Sequence, residues 1–589
     1  MLLVSAQIYQ PLEVYQANEN ADNLSEKLRI ALQIPDGESV HPAIPLIDQG
    51  VDSLGAVTVG SWFSKQLLLD LPLLKVLGGA SVADLADDAA GRLPPSAIPL
   101  VSQGEEAAES CENTTSSTSP NDTPVETTLT SPVESVVDED ENDDEPVAVR
   151  HEKMSLAQEY SWKVQQEVED PTIFNNTIGM FMKGAIDLER LARALKAVMR
   201  RHEMFRTAFT LKRGVDDKIP EQTVLKRSNN KVQILQVADR AAAEEGYRKL
   251  HETKYDIAVG DTLRLVDFYW GKDEHLLVLA YHRLVGDGST TENVFVEAAQ
   301  LYSDVALKQP VTQFADLAAQ QRKDLQDGRL EEDISFWESM HSKLSTSAPL
   351  PLMRSLVSEN TPSQEQKGAL RTWQQYEAIE RLDPMVAFRI KERSRKHKAT
   401  PMQFYLAAYH VLLSRMTGSK DITIGIADTN RSTIDEVSAM GFFANLLPLR
   451  FGEFTASNTF GEHLVSAKDS VRVAVKHTRV PHGVILDRLG FGLPTKTTSA
   501  PLFQAVFDYR QGQAESGTIG SAVMTEVIAS REHTPYDVVL EMSDDATKDP
   551  LITVKLQSSK YSSQHPQAFL NNYISLLSMF SMNPALKLA

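Results

Sequence analysis

Two short runs hold side chains equipped for chemistry. The first is Leu46-Ile47-Asp48-Gln49-Gly50-Val51-Asp52-Ser53-Leu54. A serine directly after an aspartate, at the first turn of an amphipathic helix, is placed to carry a phosphodiester. The helix start offers unpaired N–H groups and the positive end of its dipole to a phosphate. Gly50 permits close approach, and Leu54 anchors the helix. By itself the run also fits an ordinary N-cap serine. A hydrolase elbow would need glycine two residues before the serine, and Val51 stands there. The second run is Ala280-Tyr281-His282-Arg283-Leu284-Val285-Gly286-Asp287-Gly288-Ser289. It follows a strand-like stretch and precedes a helical one, setting His282, Arg283 and Asp287 at a strand-to-loop turn. Asp287-Gly288 supplies turn chemistry. This pattern, too, fits a structural histidine when taken alone.

Other signals carry less. Gly490-Phe491-Gly492 lacks the rest of a dinucleotide fingerprint and reads as a turn. The fourteen histidines have no metal-ligand spacing with the single cysteine, Cys111, so no metal is expected. No phosphate-binding loop ending in Gly-Lys-Ser/Thr is found.

The elements that position these runs fall into three parts. Asn23 to Leu93 reads as a small all-α unit. NLSEKLRIALQI, DSLGAVTVGSWFSKQL and SVADLADDAAGRL are its helices, with Ser81 as an N-cap. From Gln103 to Val149 there are fourteen Asp or Glu and no Lys or Arg, among many Ser, Thr, Pro and Asn. Such a stretch buries too little apolar surface to offset its ordering entropy and reads as a disordered acidic tether. Beyond it, helical stretches such as LERLARALKAVMRRH alternate with strand-like HLLVLAYHRL, ITIGIA and PLFQAVFDY. That is an α/β chain too long for one domain, with a break near Gly328–Asp333.

The whole has 589 residues and a net charge of −21, which argues against nucleic acid or an anionic membrane as partner. One cysteine allows no intrachain disulfide and fits a reducing compartment. No apolar run reaches the ~18 residues of a membrane span, and no signal peptide is evident, so a cytoplasmic location is expected.

GVDSLGAVTVGSWF and LKVLGGASVADLA, at their mutual spacing, resemble the acyl carrier domain of fungal highly reducing polyketide synthases. The resemblance implies a four-helix bundle and a covalent 4'-phosphopantetheine on Ser53, attached by a phosphopantetheinyl transferase. SLAQEYSW (Ser155–Trp162), RHEMFRTAF (Arg201–Phe209), AYHRLVGDG, FADLA (Phe314–Ala318), MGFFANLLPLR (Met440–Arg450) and HTRVP (His477–Pro481) occur in order. They are similar to the successive core motifs of nonribosomal peptide condensation domains. That family implies two chloramphenicol-acetyltransferase-like lobes in a V, with a tunnel open to a carrier arm at each end.

The family motif has two adjacent histidines, three residues, then Asp-Gly. Here His282 keeps the first place, and Arg283 stands in the second. In the family the second histidine assists amine attack on a thioester. A guanidinium stays protonated far above neutral pH, so it cannot act as a base there. General-base help is worth about 10²–10⁴-fold, and amide formation is expected to be crippled. The family also implies a structural Asp287 paired with an arginine; Arg201, Arg206 and Arg450 are the candidates. With no adenylation domain after the last helix, the chain resembles the end of a lovastatin- or mevastatin-type nonaketide synthase.

The expected organisation is therefore linker 1–22, carrier 23–93, acidic tether 94–150, condensation N-lobe 151–329 and C-lobe 330–589. The expected function is a polyketide carried on Ser53 and presented to a condensation-like domain. Three roles are open for that domain: shaping the chain, including an intramolecular Diels–Alder closure; a non-catalytic scaffold; or amide or ester formation with another base. The expected partners are upstream synthase domains, a trans-acting enoyl reductase and a release enzyme.

Overall fold

The computed structural model describes residues 40–49, 51, 59, 76 and 80–92 of the leading part. From 147 to 588 it describes all but 169, 214–217, 308–311, 343–352, 354–372, 420, 494–501, 512–516, 531–533 and 545–547. Most of the expected four-helix carrier, Ser53 itself, the linker 1–22 and the acidic stretch as far as residue 146 lie outside the described residues.

What is described of the leading part is the lid of a small core. Val40, Leu46, Val51, Val59, Val76, Val82 and Leu85 are buried. Helix Val82–Arg92 starts where the sequence places it. The Asp84 N–H donates to Ser81 Oγ at 3.2 Å, and the Ser81 N–H and hydroxyl both donate to the Asp84 carboxylate. Pro45 bridges to Ser81, so the proline-bearing loop is stitched to this helix start.

Strand β1 (Ala148–Lys153) begins inside the stretch assigned to the tether, so residues 148–150 belong to the folded part. Its residues pair with β4 (Lys218–Leu225), beside β3 (Thr207–Arg213), in a three-stranded sheet. The main sheet of the first half contains β2 (Asn175–Lys183), β5 (Lys231–Gln236), β6 (Leu263–Trp270) and β7 (Glu274–His282). Helices Leu188–Arg201 and Gly288–Tyr302 cover one face through Leu191, Leu195, Val198, Val294 and Ala298. Helix Arg240–His251 covers the other through Ala243 and Tyr247. Covered on both faces, β7 is buried along almost its whole length, which explains its near-continuous apolar run.

The second half builds its own core from Leu330 onward. Its strands are β8 (Gln375–Arg381), β9 (Ile422–Asp428), β10 (Asn445–Phe451), β11 (Ala505–Gln511), β14 (Val538–Asp544) and β15 (Leu551–Gln557). They order as β10-β9-β11-β14-β15-β8, with β11 parallel to both β9 and β14. Helices Pro401–Thr417, Phe460–Ala474 and His565–Met582 fill the space against it.

The division at 329/330 is not clean. Strands β12 (Thr518–Ile519) and β13 (Ala522–Ala529) leave the second half and extend the first half's sheet as β12-β13-β2-β7-β6-β5. Ala439, Met440, Phe443, Ile519 and Ala522 likewise sit in the first half's core. Arg240 seals the crossover: it bonds Glu526 at 2.7 Å and lies 3.9 Å over the Phe181 ring. No helix among the described residues is long and apolar enough to cross a membrane.

Candidate functional site

His282 closes β7 and Arg283 opens a single 3-10 turn, so the two side chains leave the backbone in different directions. The His282 ring is buried, 2% exposed, stacked on Phe174 at 6.0 Å and edge-on to Tyr255. Its Nδ1 accepts the Leu284 N–H at 3.3 Å, which puts the neutral ring's proton on Nε2. Burial, aided by the Arg283 charge, lowers its pKa to about 3, so it stays neutral. Nε2 has no partner among the described residues.

Arg283 is half-buried, its guanidinium 5.9 Å from the centre of the Phe174 ring. Its charge also reaches the Tyr536 phenol in the second half of the chain. A guanidinium donates hydrogen bonds and positive charge but takes up no proton near neutrality. It can polarise a carbonyl and cannot deprotonate an amine.

Asp287 caps helix Gly288–Tyr302 by accepting from Thr290 N–H at 3.0 Å and Thr290 hydroxyl at 3.1 Å. The same carboxylate takes Arg431 Nη2 at 2.9 and 3.2 Å and the Phe443 N–H at 3.0 Å. None of the three arginines considered from sequence reaches it. Arg201 pairs with Glu297, Arg206 bonds the Leu225 carbonyl and faces Glu203, and Arg450 pairs with Asp421. Arg431 fills that place, 144 residues away in sequence, and also bonds the carbonyls of Ala439 and Gly441. Gly288 is the first residue of the helix, and a Cβ there would meet nothing within 4 Å. The turn chemistry therefore resides in the Asp287 cap and not in glycine.

The remaining motif runs converge on this seam. Ser155 forms a capping box with Gln158, whose Nε2 donates to the Leu284 carbonyl at 2.8 Å and holds helix Leu156–Gln166 on the motif turn. Thr290 and Gly441 exchange bonds at 2.9 and 3.1 Å. The Phe314 ring packs on Gly441 and edge-on to Phe443 at 4.9 Å. Asn445 bonds the carbonyls of Thr478 and Val480 and accepts the His482 N–H. Sequence reasoning passed over Arg431, which pairs with Asp287, and Phe174, which packs on His282 and under Arg283. For Arg431, the signal was an arginine after Asn430, a residue with φ 52° directly beyond the buried β9.

Among the described residues, no group of three or more His, Cys, Asp or Glu is placed to hold a metal. Several histidines are buried and neutral instead. Burial lowers the pKa of His282 and His482 to about 3, of His341 and His463 to about 4, and of His410 in the same direction. Each folded-state pKa lies below the unfolded ~6.5. The stability these rings contribute is therefore whole above pH ~6.5 and is lost as pH falls toward 3–4, because the unfolded chain takes up the protons. Each ring adds a slope of about 1.4 kcal/mol per pH unit in that window. The urea midpoint is expected to fall steeply from pH 6.5 to 5, and a flat midpoint there would contradict the burial of these rings.

Residues 149–589 match the family model "Condensation domain", and residues 23–88 match "Phosphopantetheine attachment site". The whole chain is 64% identical to 20% of "Lovastatin nonaketide synthase, polyketide synthase component" from Aspergillus terreus. Over 96% of its length it is 65% identical to 19% of "Compactin nonaketide synthase, polyketide synthase component" from Penicillium citrinum. The chain thus spans about a fifth of the length of the curated relatives it matches. Among solved structures, the condensation domain from Monacolin K polyketide synthase MokA matches with a TM-score of 0.72 and 63% identity, over 75% of this chain and 100% of that one. The first condensation domain of the calcium-dependent antibiotic synthetase, at 15% identity and TM-score 0.61 over 75% and 98%, shares the fold.

Proposed function

Because the chain belongs to the condensation-domain family from residue 149 to 589, behind a phosphopantetheine attachment domain, we propose that it is the carrier and condensation-like segment of a statin-type nonaketide synthase. Ser53 carries the growing polyketide as a thioester on the covalent 4'-phosphopantetheine, which supplies a long arm ending in a thiol. Ser53 is the serine of the GVDSLG run, inside the residues 23–88 that match the attachment site. Upstream synthase domains, a trans-acting enoyl reductase and a release enzyme meet the same arm.

The condensation-like domain binds the tethered chain and shapes it, including for an intramolecular Diels–Alder closure. The observation that carries this reading is Arg283 in the second motif position, above Phe174 and beside the neutral His282. Such a closure forms two carbon–carbon bonds within one molecule, with no proton to remove. It needs a folded conformer and a polarised carbonyl, and Arg283 donates to that carbonyl. Amide formation, which needs a base, is disfavoured at this site: His282 spends Nδ1 on a backbone N–H and is pushed to about 3.

A second reading, a non-catalytic scaffold, is favoured by Asp287, whose carboxylate bonds go to its own helix cap and to the second half of the chain. The two readings separate when this chain is supplied in trans to a nonaketide synthase lacking its own copy. Shaping predicts restored cyclised product that depends on Arg283, whereas a scaffold predicts restoration indifferent to it.

A further inference from the structure

We propose that the outward face of helix Pro384–Lys396 is a docking surface for this chain's own carrier domain, centred on Met385 and Phe388 and flanked by basic side chains. The inference rests on residues 23–88 being a phosphopantetheine carrier and not on what Arg283 does to the tethered chain.

The helix begins after Asp383, whose carboxylate accepts the Met385 and Val386 N–H groups, with Pro384 in its first turn. Val386, Ala387 and Ile390 turn into the second half's core. Arg389 and Arg393 turn sideways onto the end of helix His565–Met582, where Arg393 donates to the carbonyls of Ser581 and Met582 at 3.2 and 3.3 Å. That arrangement leaves Met385 and Phe388, three positions apart and so neighbours on the helix surface, facing outward. Met385 is 58% exposed, and Phe388, at 62%, is the most exposed large apolar side chain among the described residues. Single exposed apolar residues are ordinary, but an exposed phenylalanine beside an exposed methionine forms a patch that gains by being covered.

Charge selects what covers it. The helix carries five basic side chains, Arg389, Lys391, Arg393, Arg395 and Lys396, against the single Glu392, a net +4 in a chain of −21. Helix Leu188–Arg201 is as basic, but none of its large apolar residues is exposed. A second copy would set +4 against +4, and an anionic membrane would repel the molecule as a whole. Residues 23–88 hold nine Asp or Glu and four Lys or Arg, a net −5. Ile44 is 39% exposed in the loop that leads to Ser53, and Asp48 and Asp52 follow within eight positions. An apolar point among acids is the complement of an apolar point among bases. Opposite charges steer the encounter, and the buried aromatic anchors it.

The connection permits it. Residues 93–146 join the last described carrier residue to Val147, and these 54 residues, at up to ~3.3 Å each, reach any face of the domain. Sharing one chain keeps the two partners at high effective concentration, so a small surface suffices. Lys391 pairs with Asp544 at 3.2 Å, at the far end of β14 from Tyr536, whose phenol feels the Arg283 charge. The face therefore stands about one strand length, roughly 25 Å, from the Arg283 end. Docking holds the carrier at this domain, and the arm does the reaching.

The test is amine-directed cross-linking of the full phosphopantetheinylated chain, read by peptide mass spectrometry. Lys27, Lys65 and Lys75 of the carrier are expected to couple to Lys391 and Lys396 about fivefold or more above their coupling to Lys183 and Lys249, which are more exposed. The enrichment should fall to that baseline in high salt and in the double variant Met385→Ser/Phe388→Ser. Both side chains are more than half exposed, so the double variant should keep the parent's melting temperature. Couplings spread evenly over the surface lysines, or unchanged in the folded double variant, would overturn the docking face. A mixture of chains with light and heavy nitrogen separates the copies: hybrid cross-links between two of these helices would assign the face to a second copy and overturn the carrier as its occupant. Sedimentation of the chain with phosphatidylserine vesicles, abolished in the double variant, would assign it to a lipid surface with the same consequence. Intact mass reports the loading of Ser53 beforehand, so failure of the carrier reading is seen apart from failure of docking.

Discussion

Ser53→Ala protein, incubated with a phosphopantetheinyl transferase and coenzyme A, is expected to keep its unmodified intact mass, while the parent chain gains one arm. The loss should be complete, because attachment is a covalent bond to one hydroxyl and no neighbouring group can replace it. Asp52 has no alcohol, and Leu54 has no heteroatom in its side chain. Residues 23–88 match the attachment model, and Ser53 is the serine of the GVDSLG run within it. Ser25, Ser39, Ser61, Ser64 and Ser81 are the other serine hydroxyls in that span, so the experiment has real alternatives. Ser81 is already committed to Asp84 at its helix start. Peptide mapping that places the arm on any residue other than Ser53 would contradict the assignment.

Arg431→Met is expected to lower the stability of the condensation-like domain by about 3–5 kcal/mol, the cost of leaving one member of a buried pair without its partner. Arg431 is 5% exposed and Asp287 8%, so water cannot readily replace the lost bonds. The variant also strips donors from the Ala439 and Gly441 carbonyls and loosens the anchor between helix Gly288–Tyr302 and the run that carries Phe443. Arg450→Met provides the contrast. Its pair with Asp421 is partly exposed on both sides, and such pairs are worth about 0–1 kcal/mol. Urea denaturation of the two variants should therefore differ several-fold in effect. Equal losses would mean that the Asp287 contact is no special anchor.

How much of this was legible in the sequence follows from the distance over which each feature is encoded. β7, β9 and β11 announce themselves as local apolar runs, and the Ser81 cap as a local polar one. The motif residues His282, Arg283 and Asp287 lie within six positions of one another and were visible together. Arg431 was not, because its partner is 144 residues away and sequence alone gave three other arginines an equal claim. The crossover of β12 and β13 was missed for the same reason, since a strand's own pattern does not say which sheet it will join.

The central claim is that Arg283 acts on the tethered chain. It is tested most directly by supplying this chain, wild-type or Arg283→Ala, to a nonaketide synthase lacking its own copy, and measuring the ratio of cyclised to uncyclised product. One charge-assisted hydrogen bond is worth about 1.5–3 kcal/mol, so the variant should lose about ten- to hundredfold in that ratio. Its melting temperature is measured alongside, because Arg283 also packs over Phe174 and only a folded variant tests the claim. A folded Arg283→Ala chain that restores the wild-type ratio would contradict the account and leave the scaffold.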